Sequence, residues 1–278
     1  MSKRIGVVAP SSSMAAETAA EVQALVGAAY AAGTVELVFH PQCFLSDGHF
    51  AGPDEARAEA FLEFANDEGF DAVWFGRGGY GSCRIAERVL PRLNAAAAGK
   101  DYLGYSDAGA LLAGLYSKGF RRVAHGPMAQ DIRRAGGEAA VRRALAWLVE
   151  RDPASLEPSV DGAAPTAAFN LMILSSIVGT PLQPDLTGHI LMLEEVDEYM
   201  YRIDRALFHV TSNEGVRRAA GLKLGRCSQV PENDPAFLRT EGEIARYWCE
   251  RSGIPWLGRA DIGHDAGNKV VPFGFRSE

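Results

Sequence analysis

Short apolar runs alternate with longer amphipathic segments along the first half of the chain. The runs predict strands at 5–9, 35–39, 71–75, 101–104 and 123–128, and the segments between them predict helices at 15–32, 53–68, 82–90, 108–117 and 138–150. Alternating strands and helices favour a parallel sheet with right-handed crossovers. We therefore expect an N-terminal α/β domain of the Rossmann or flavodoxin-like kind. Ligands of such sheets bind at the carboxyl ends of the strands.

The pattern changes after residue 152. A segment with three prolines at 152–165 reads as a linker. Beyond it we expect helices at 166–178, 199–211 and 239–252, and strands at 189–193, 220–224 and 270–273. The chain thus divides into a domain at 1–152 and a smaller C-terminal α/β domain at 166–278.

Composition narrows the class of protein. Of 278 residues, 47% are hydrophobic and 23% are charged, which predicts a packed soluble core. A net charge of -7 without a basic stripe argues against a nucleic-acid polymer as partner. The cysteines are scattered without a CxxC pair, which favours reduced thiols over a disulfide framework or a metal site. No run has the length of a membrane span or a signal peptide, so we expect a cytoplasmic protein.

A serine lies between a predicted strand and a predicted helix. Ser106 follows the strand at 101–104 and precedes the helix at 108–117, where its hydroxyl is exposed at the edge of the sheet. The N–H groups of the helix start face the same way, as an acyl-transfer nucleophile requires. The alternative is a helix N-cap, the commoner role of Ser and Asp at such a position.

The glycine loop at 76–81 formally matches a dinucleotide fingerprint, with Asp101 about twenty residues from it. The match is weak, because the fingerprint belongs to the first strand–helix turn and this is the third strand. Asp101 also precedes its strand instead of following one. A nicotinamide or flavin enzyme therefore remains a distant alternative, and we expect no cofactor.

The same loop has a second interpretation. Gly78 and Gly79 would bring backbone N–H groups close to Ser106, and the Gly79 and Asp107 N–H groups would form an oxyanion hole. Arg77 either receives a substrate carboxylate or braces its loop. A tight turn that needs glycine for its backbone conformation is the structural alternative.

A serine nucleophile needs a base, usually histidine, and an acid that orients it. His264 stands out among six histidines because it lies in a glycine-flanked loop near the chain end, whereas His125 could be a buried structural imidazole. Glu194 ends an apolar strand. It would face a cleft or form a salt bridge with Arg202 or Arg205. The other histidines are His40, His49, His189 and His209.

Seven short motifs, in order, resemble the LD-carboxypeptidase family of serine peptidases, which also contains enzymes that inactivate microcin C. They are RGGYG at 77–81, GYSD at 104–107, HGPM at 125–128, Gly-Thr-Pro at 179–181, LEE at 193–195, YRIDR at 201–205 and GH at 263–264, with Asn268 and Pro272. The resemblance implies a Ser106–His264–Glu194 triad between two domains, a homodimer and a cytoplasmic location.

The resemblance also implies a function. The expected reaction is release of the terminal D-amino acid of a murein tetrapeptide in peptidoglycan recycling, with no metal and with Arg77, Gly78 and Asn170 as candidate substrate-binding residues. The runner-up is a hydrolase of peptidyl-nucleotides or acyl-adenylates, and a catalytically silent binding module is the alternative outside the enzymes. Ala168 and Phe169 replace the family's two glycines, so we expect their side chains close to the substrate.

Overall fold

The computed structural model describes residues 2–275, which form two β-sheets with helices packed against them. The strands are β1 (Lys3–Val8), β2 (Val35–Phe39), β3 (Ala72–Phe75), β4 (Asp101–Gly104), β5 (Val123–His125), β6 (Thr166–Asn170), β7 (Ile190–Val196), β8 (Gly221–Ser228), β9 (Trp256–Arg259) and β10 (Val271–Pro272). The helices are α1 (Ala16–Ala29), α2 (Asp54–Asn66), α3 (Ser82–Val89), α4 (Ala95–Ala98), α5 (Gly109–Ser117), α6 (Gly137–Glu150), α7 (Leu171–Ile177), α8 (Met200–Ser212), α9 (Glu214–Arg217) and α10 (Glu241–Ser252).

The first sheet has the strand order β10-β5-β4-β3-β1-β2. Strands β1 to β5 run parallel, which confirms the predicted α/β class. Every residue of β3 and β4 is buried, because helices cover both faces of the sheet. That is why these strands read in the sequence as continuous apolar runs instead of alternating ones.

The strand predicted near the chain end exists, but it belongs to the first sheet and not to the second. β10 pairs antiparallel with β5, and Val271 lies opposite His125. Pro272 is tolerated because β10 is an edge strand, where one side of the backbone needs no ladder hydrogen bond. The predicted domain boundary at 152–166 stays a prediction.

The second sheet has the order β6-β7-β8-β9, and all its pairs are parallel. The single helix predicted at 166–178 was wrong, because this stretch is β6 followed directly by α7. Ala167 and Ala168 favour a helix, but pairing with β7 buries the whole segment as a strand. The partly exposed edge strand β9 was not predicted.

One hydrophobic core cluster contains residues from both sheets. Phe169 of β6 packs against Phe273, which follows β10, with 5.0 Å between ring centroids. A side chain at Gly109, the first residue of α5, would touch Phe169 and Ile173. The two sheets therefore share buried surface beside the start of α5. Within residues 2–275 we find no helix long and apolar enough to cross a membrane.

Candidate active site

Ser106 occupies a strained turn at the end of β4. Its φ of 57° is left-handed, a conformation that is unfavourable for residues other than glycine. Such strain persists only where the surroundings enforce it, and it concentrates at functional sites. Ser106 begins a 3₁₀ turn that leads into α5, and Ala108, not Ser106, stands at the N-cap of that helix. No side-chain capping bond is found at either helical start, so within the described chain the capping alternative is not observed.

The Asp107 carboxylate holds this turn against its neighbours. It is buried, and its Oδ2 accepts hydrogen bonds from Ser11 Oγ at 2.5 Å and from the Ser82 N–H at 2.8 Å. Ser82 Oγ in turn donates to the Asp107 carbonyl at 2.5 Å. Burial raises the pKa of Asp107, and these hydrogen bonds oppose the rise. The Asp107 side chain thus holds the turn at Ser106 in place, while its backbone N–H remains a candidate donor to the oxyanion.

The glycine loop packs directly on Ser106. A Cβ at Gly78 would lie 2.8 Å from Ser106 Oγ, so only glycine allows this approach. Gly79 has a φ of 110°, and a Cβ there would overlap Ser12. Among residues 2–275 the Gly79 N–H has no hydrogen-bond acceptor. The loop therefore leaves an N–H donor unsatisfied beside the candidate nucleophile, as an oxyanion hole requires.

Glu194 and His264 form a buried pair. Glu194 is fully buried in β7, and its Oε2 lies 2.5 Å from His264 Nδ1. Burial alone would lower the pKa of His264, but the charge and the hydrogen bond of Glu194 outweigh it and raise that pKa above 6.5. Within residues 2–275 Glu194 pairs with His264 and forms no salt bridge with Arg202 or Arg205, and Arg202 pairs with Glu198 instead.

Two features of the sheet aim Glu194 at the histidine. The register between β7 and β8 shifts between Leu193 and Glu195, an irregularity that re-aims a strand side chain. On β8, a Cβ at Gly225 would lie 2.6 Å from the Ile262 carbonyl oxygen and 3.0 Å from the Glu194 Cβ, so glycine lets β7 and the segment before His264 approach each other closely. The sequence shows neither feature, because both depend on strand pairing.

The loop that carries His264 is tied to the first sheet. Asn268 is fully buried, and its Oδ1 accepts from the Gly263 N–H at 3.2 Å and lies 3.1 Å from His125 Nε2. Burial lowers the pKa of His125, which fits the structural imidazole considered from the sequence. The Tyr105 ring lies 4.8 Å from the His264 ring, centroid to centroid. The sequence motif includes Asn268, but the sequence alone indicates no role for this residue.

Ser106 and His264 line the same cavity, whose volume is about 380 Å³. Within the described residues no hydrogen bond joins the two side chains, a contact that is often long before substrate binds. Three of the predicted residues, Arg77, Gly78 and Gly79, line the same cavity. The cavity is completed by Tyr105, Met128, Gln130, Asp131, Arg133, Arg134 and Val196.

The structure places Asn170 away from this cavity. Its Nδ2 donates to Glu195 Oε1 at 2.7 Å, and its Oδ1 accepts from the Ile173 N–H at 3.1 Å, which caps α7. Ala168 and Phe169 were expected near the substrate, and this was wrong: both are buried in the core. Neither lines this cavity, because pairing with β7 buries every residue of β6 and the two side chains pack into core clusters on opposite faces of the strand.

Residues 2–275 contain no cluster of three or more His, Cys, Asp or Glu side chains suited to a metal ion. The glycine loop that resembles a dinucleotide fingerprint is occupied by the protein's own groups. Side chains at Gly79 and Gly81 would collide with Ser12 and Arg57, respectively. The side chains that the site brings together are a serine, an imidazole and a carboxylate.

Comparison with known proteins assigns this architecture to a family. Residues 5–126 match the LD-carboxypeptidase N-terminal domain, and residues 165–278 match the LD-carboxypeptidase C-terminal domain. The chain belongs to the LD-carboxypeptidase family. It is therefore an enzyme, a hydrolase of the serine-type L,D-carboxypeptidases.

Relatives of this LD-carboxypeptidase include a murein tetrapeptide carboxypeptidase of Pseudomonas aeruginosa, which is 28% identical over 250 residues that cover 81% of this chain and 78% of the relative. A muramoyltetrapeptide carboxypeptidase from Oxalobacter formigenes superposes with a TM-score of 0.81 at 21% identity, over 97% of this chain and 93% of that one. The microcin C7 self-immunity protein MccF in complex with aspartyl sulfamoyl adenosine superposes with a TM-score of 0.79 at 19% identity, over 99% and 92% of the two chains. At these identities the two solved structures show the shared fold.

Proposed function

We propose that this enzyme hydrolyses an amide bond with a Ser106–His264–Glu194 triad and releases the terminal D-amino acid of a murein tetrapeptide. One observation carries the proposal. The buried Glu194–His264 pair reaches the wall of the same cavity as the strained Ser106. Nucleophile, base and orienting acid then come from separate segments and meet at one place, as the triad logic requires.

In the proposed mechanism, Ser106 Oγ attacks the scissile carbonyl carbon while His264 Nε2 accepts the hydroxyl proton. Glu194 holds the proton on Nδ1 and stabilises the imidazolium that forms. The Gly79 and Asp107 N–H groups donate to the oxyanion, and the loss of one such donor typically costs about 2.7–4 kcal/mol of transition-state stabilisation. His264 then protonates the leaving amine, and water hydrolyses the acyl-enzyme by the same route in reverse.

The substrate assignment draws on the relatives. The Pseudomonas aeruginosa relative is named a murein tetrapeptide carboxypeptidase, which supports a peptide that ends in a D-residue after an L-centre. Action in cytoplasmic peptidoglycan recycling, by a homodimer, belongs to the same proposal and stays a prediction.

A second candidate function is hydrolysis of a peptidyl-nucleotide or acyl-adenylate. It is favoured by the fold shared with MccF over nearly the whole chain. Both reactions need the same triad, and they differ only in the group that leaves.

The test incubates the purified protein with a murein tetrapeptide and, separately, with a peptidyl-adenylate, using wild type and Ser106→Ala. We expect D-alanine from the tetrapeptide with wild type only. Product from the adenylate alone would select the second candidate. Product that survives Ser106→Ala would exclude the proposed nucleophile, and no product from either substrate would favour a silent binding module.

A further inference from the structure

Three arginines line the cavity that holds Ser106, and their hydrogen bonds differ. Arg77 is exposed, and its Nη1 donates to the Ser13 carbonyl at 2.6 Å. Arg133 forms an ion pair with Glu21, with both side chains about half exposed. The guanidinium groups of these two residues are therefore held at the outer surface by partners that do not line the cavity.

Arg134 is held from inside the protein. Its Nε donates to Asp131 Oδ1 at 2.7 Å, and its Nη2 lies 3.4 Å from the Tyr105 hydroxyl. Asp131 is buried and also accepts from the Tyr105 hydroxyl and from the Met128 N–H, each at 2.8 Å. One edge of the guanidinium is thus fixed by a buried carboxylate. Within residues 2–275 its Nη1 has no acceptor, so the other edge is free to bind a ligand.

This guanidinium lies next to the catalytic groups. Tyr105 immediately precedes Ser106, contacts Arg134 through its hydroxyl and contacts the His264 ring with its own ring. The pKa of His264, raised overall by Glu194 against the effect of burial, is lowered in part by the positive charge of Arg134. The charge therefore acts at the position where the leaving group is protonated.

A carboxypeptidase must recognise an anion at this position. In a substrate with a free terminus, one carbon atom separates the scissile nitrogen from the α-carboxylate, so the carboxylate lies beside the group that protonates the nitrogen. A guanidinium with a free edge binds a carboxylate through two parallel hydrogen bonds. An endopeptidase substrate has a neutral amide at the same place.

We propose that Arg134 binds the free α-carboxylate of the substrate's terminal residue and so restricts the enzyme to chain ends. Asp131 and Tyr105 are positioning residues that hold the guanidinium in place at the cavity. The inference rests on the proposed carboxypeptidase function and gives the carboxylate-binding role to Arg134, whereas the sequence left Arg77 between that role and bracing its loop.

Kinetics on two matched substrates test the assignment. The tetrapeptide with a free C-terminal carboxylate and its C-terminal amide are compared in wild type, Arg134→Met, Arg134→Lys and the control variants Arg77→Met and Arg133→Met. For Arg134→Met we expect kcat/KM on the free acid to fall roughly 10- to 100-fold, the usual effect of a lost charge-assisted bond, with little change on the amide. Arg134→Lys should lose less, since it keeps the charge. Equal losses on both substrates, or discrimination lost in Arg77→Met instead, would overturn the assignment.

A binding measurement separates this inference from the proposed function. N-acetyl-D-alanine and its amide are titrated into wild type and Arg134→Met, and His264 is followed by NMR. We expect the acid to bind wild type and to raise the pKa of His264 by offsetting the charge of Arg134, while the amide does neither. Binding of the acid to Arg134→Met as tightly as to wild type, or no binding to wild type, refutes the role of Arg134 whatever the tetrapeptide assay shows. Failure of tetrapeptide hydrolysis with normal acid binding refutes only the proposed substrate.

Discussion

Replacing Glu194 by glutamine tests most directly whether Glu194 orients and charges His264, the proposed base. The side chain is fully buried and its Oε2 lies 2.5 Å from His264 Nδ1, so an isosteric amide fills the same space without the charge. The amide neither holds the correct imidazole tautomer nor stabilises the imidazolium. In triads of this kind such a change lowers kcat by about 10⁴, which corresponds to about 5 kcal/mol at 1.36 kcal/mol per tenfold change in rate.

The pH profile gives a second readout of the same variant. In wild type, kcat/KM should rise as the pH passes through the pKa of His264, which Glu194 raises above 6.5 against the effect of burial. In Glu194→Gln the rise of kcat/KM should move to lower pH, because the carboxylate charge that raises the pKa of His264 is gone. NMR titration of His264 measures the same pKa without substrate.

Glu195→Gln is the matched control, since Glu195 is the next residue and is also buried. Its carboxylate accepts hydrogen bonds from Asn170 Nδ2 and the Met172 N–H, not from the imidazole. This control should keep most of its kcat and should move the rise of kcat/KM only slightly to lower pH, because Glu195 contributes less than Glu194 to the raised pKa of His264. If Glu194→Gln kept more than a tenth of wild-type kcat, or if both variants lost activity equally, the reasoning about the base would be wrong.

Three further predictions concern the nucleophile turn and the pH dependence of stability. Ser106→Gly removes a left-handed non-glycine residue, so thermal denaturation should show a gain of about 1 kcal/mol, or about 2–4 °C, that Ser106→Ala does not give; equal melting temperatures would contradict the strain. Gly78→Ala places a methyl group 2.8 Å from Ser106 Oγ and should abolish turnover while the circular dichroism spectrum stays unchanged. An active variant would show that the glycine loop can move away from Ser106 to accommodate the methyl group. Burial raises the pKa of Glu195 from 4.5 to about 7, so the folded state holds a proton between these pH values that the unfolded state has lost. As the pH rises across that window, the free energy of unfolding should fall by up to about 3 kcal/mol. Urea titrations of Glu195→Gln should show a smaller change of this free energy with pH.

The sequence predicted the parts of the fold that depend on local pattern. Buried parallel strands such as β4 appear as apolar runs, and the strand–serine–helix order around Ser106 is readable because each element is short and bounded. The glycines beside His264 likewise marked its loop. These features need only neighbouring residues, and the structure has them at nearly the predicted positions.

The parts that local pattern does not reveal depend on distant contacts. β6 has the composition of a helix, and only its pairing with β7 makes it a strand. Glu194 and His264 are 70 residues apart, so their hydrogen bond cannot be inferred from spacing. Arg77 was considered for a substrate carboxylate because of its position in a motif, with bracing of its loop as the alternative. Arg134 is distinguished by the buried carboxylate behind it, which the sequence does not reveal.

The pairing of β10 with β5 has a consequence for when catalysis can begin. Asn268 and β10 anchor the histidine loop to the sheet that carries the serine, so the base is aligned only after residues 271–272 have joined that sheet. A nascent chain that extends only as far as the three side chains of the proposed triad would still lack this strand. Hydrolysis would therefore start only after residues 271–272 have been synthesised and have paired with β5 at the edge of the folded N-terminal sheet.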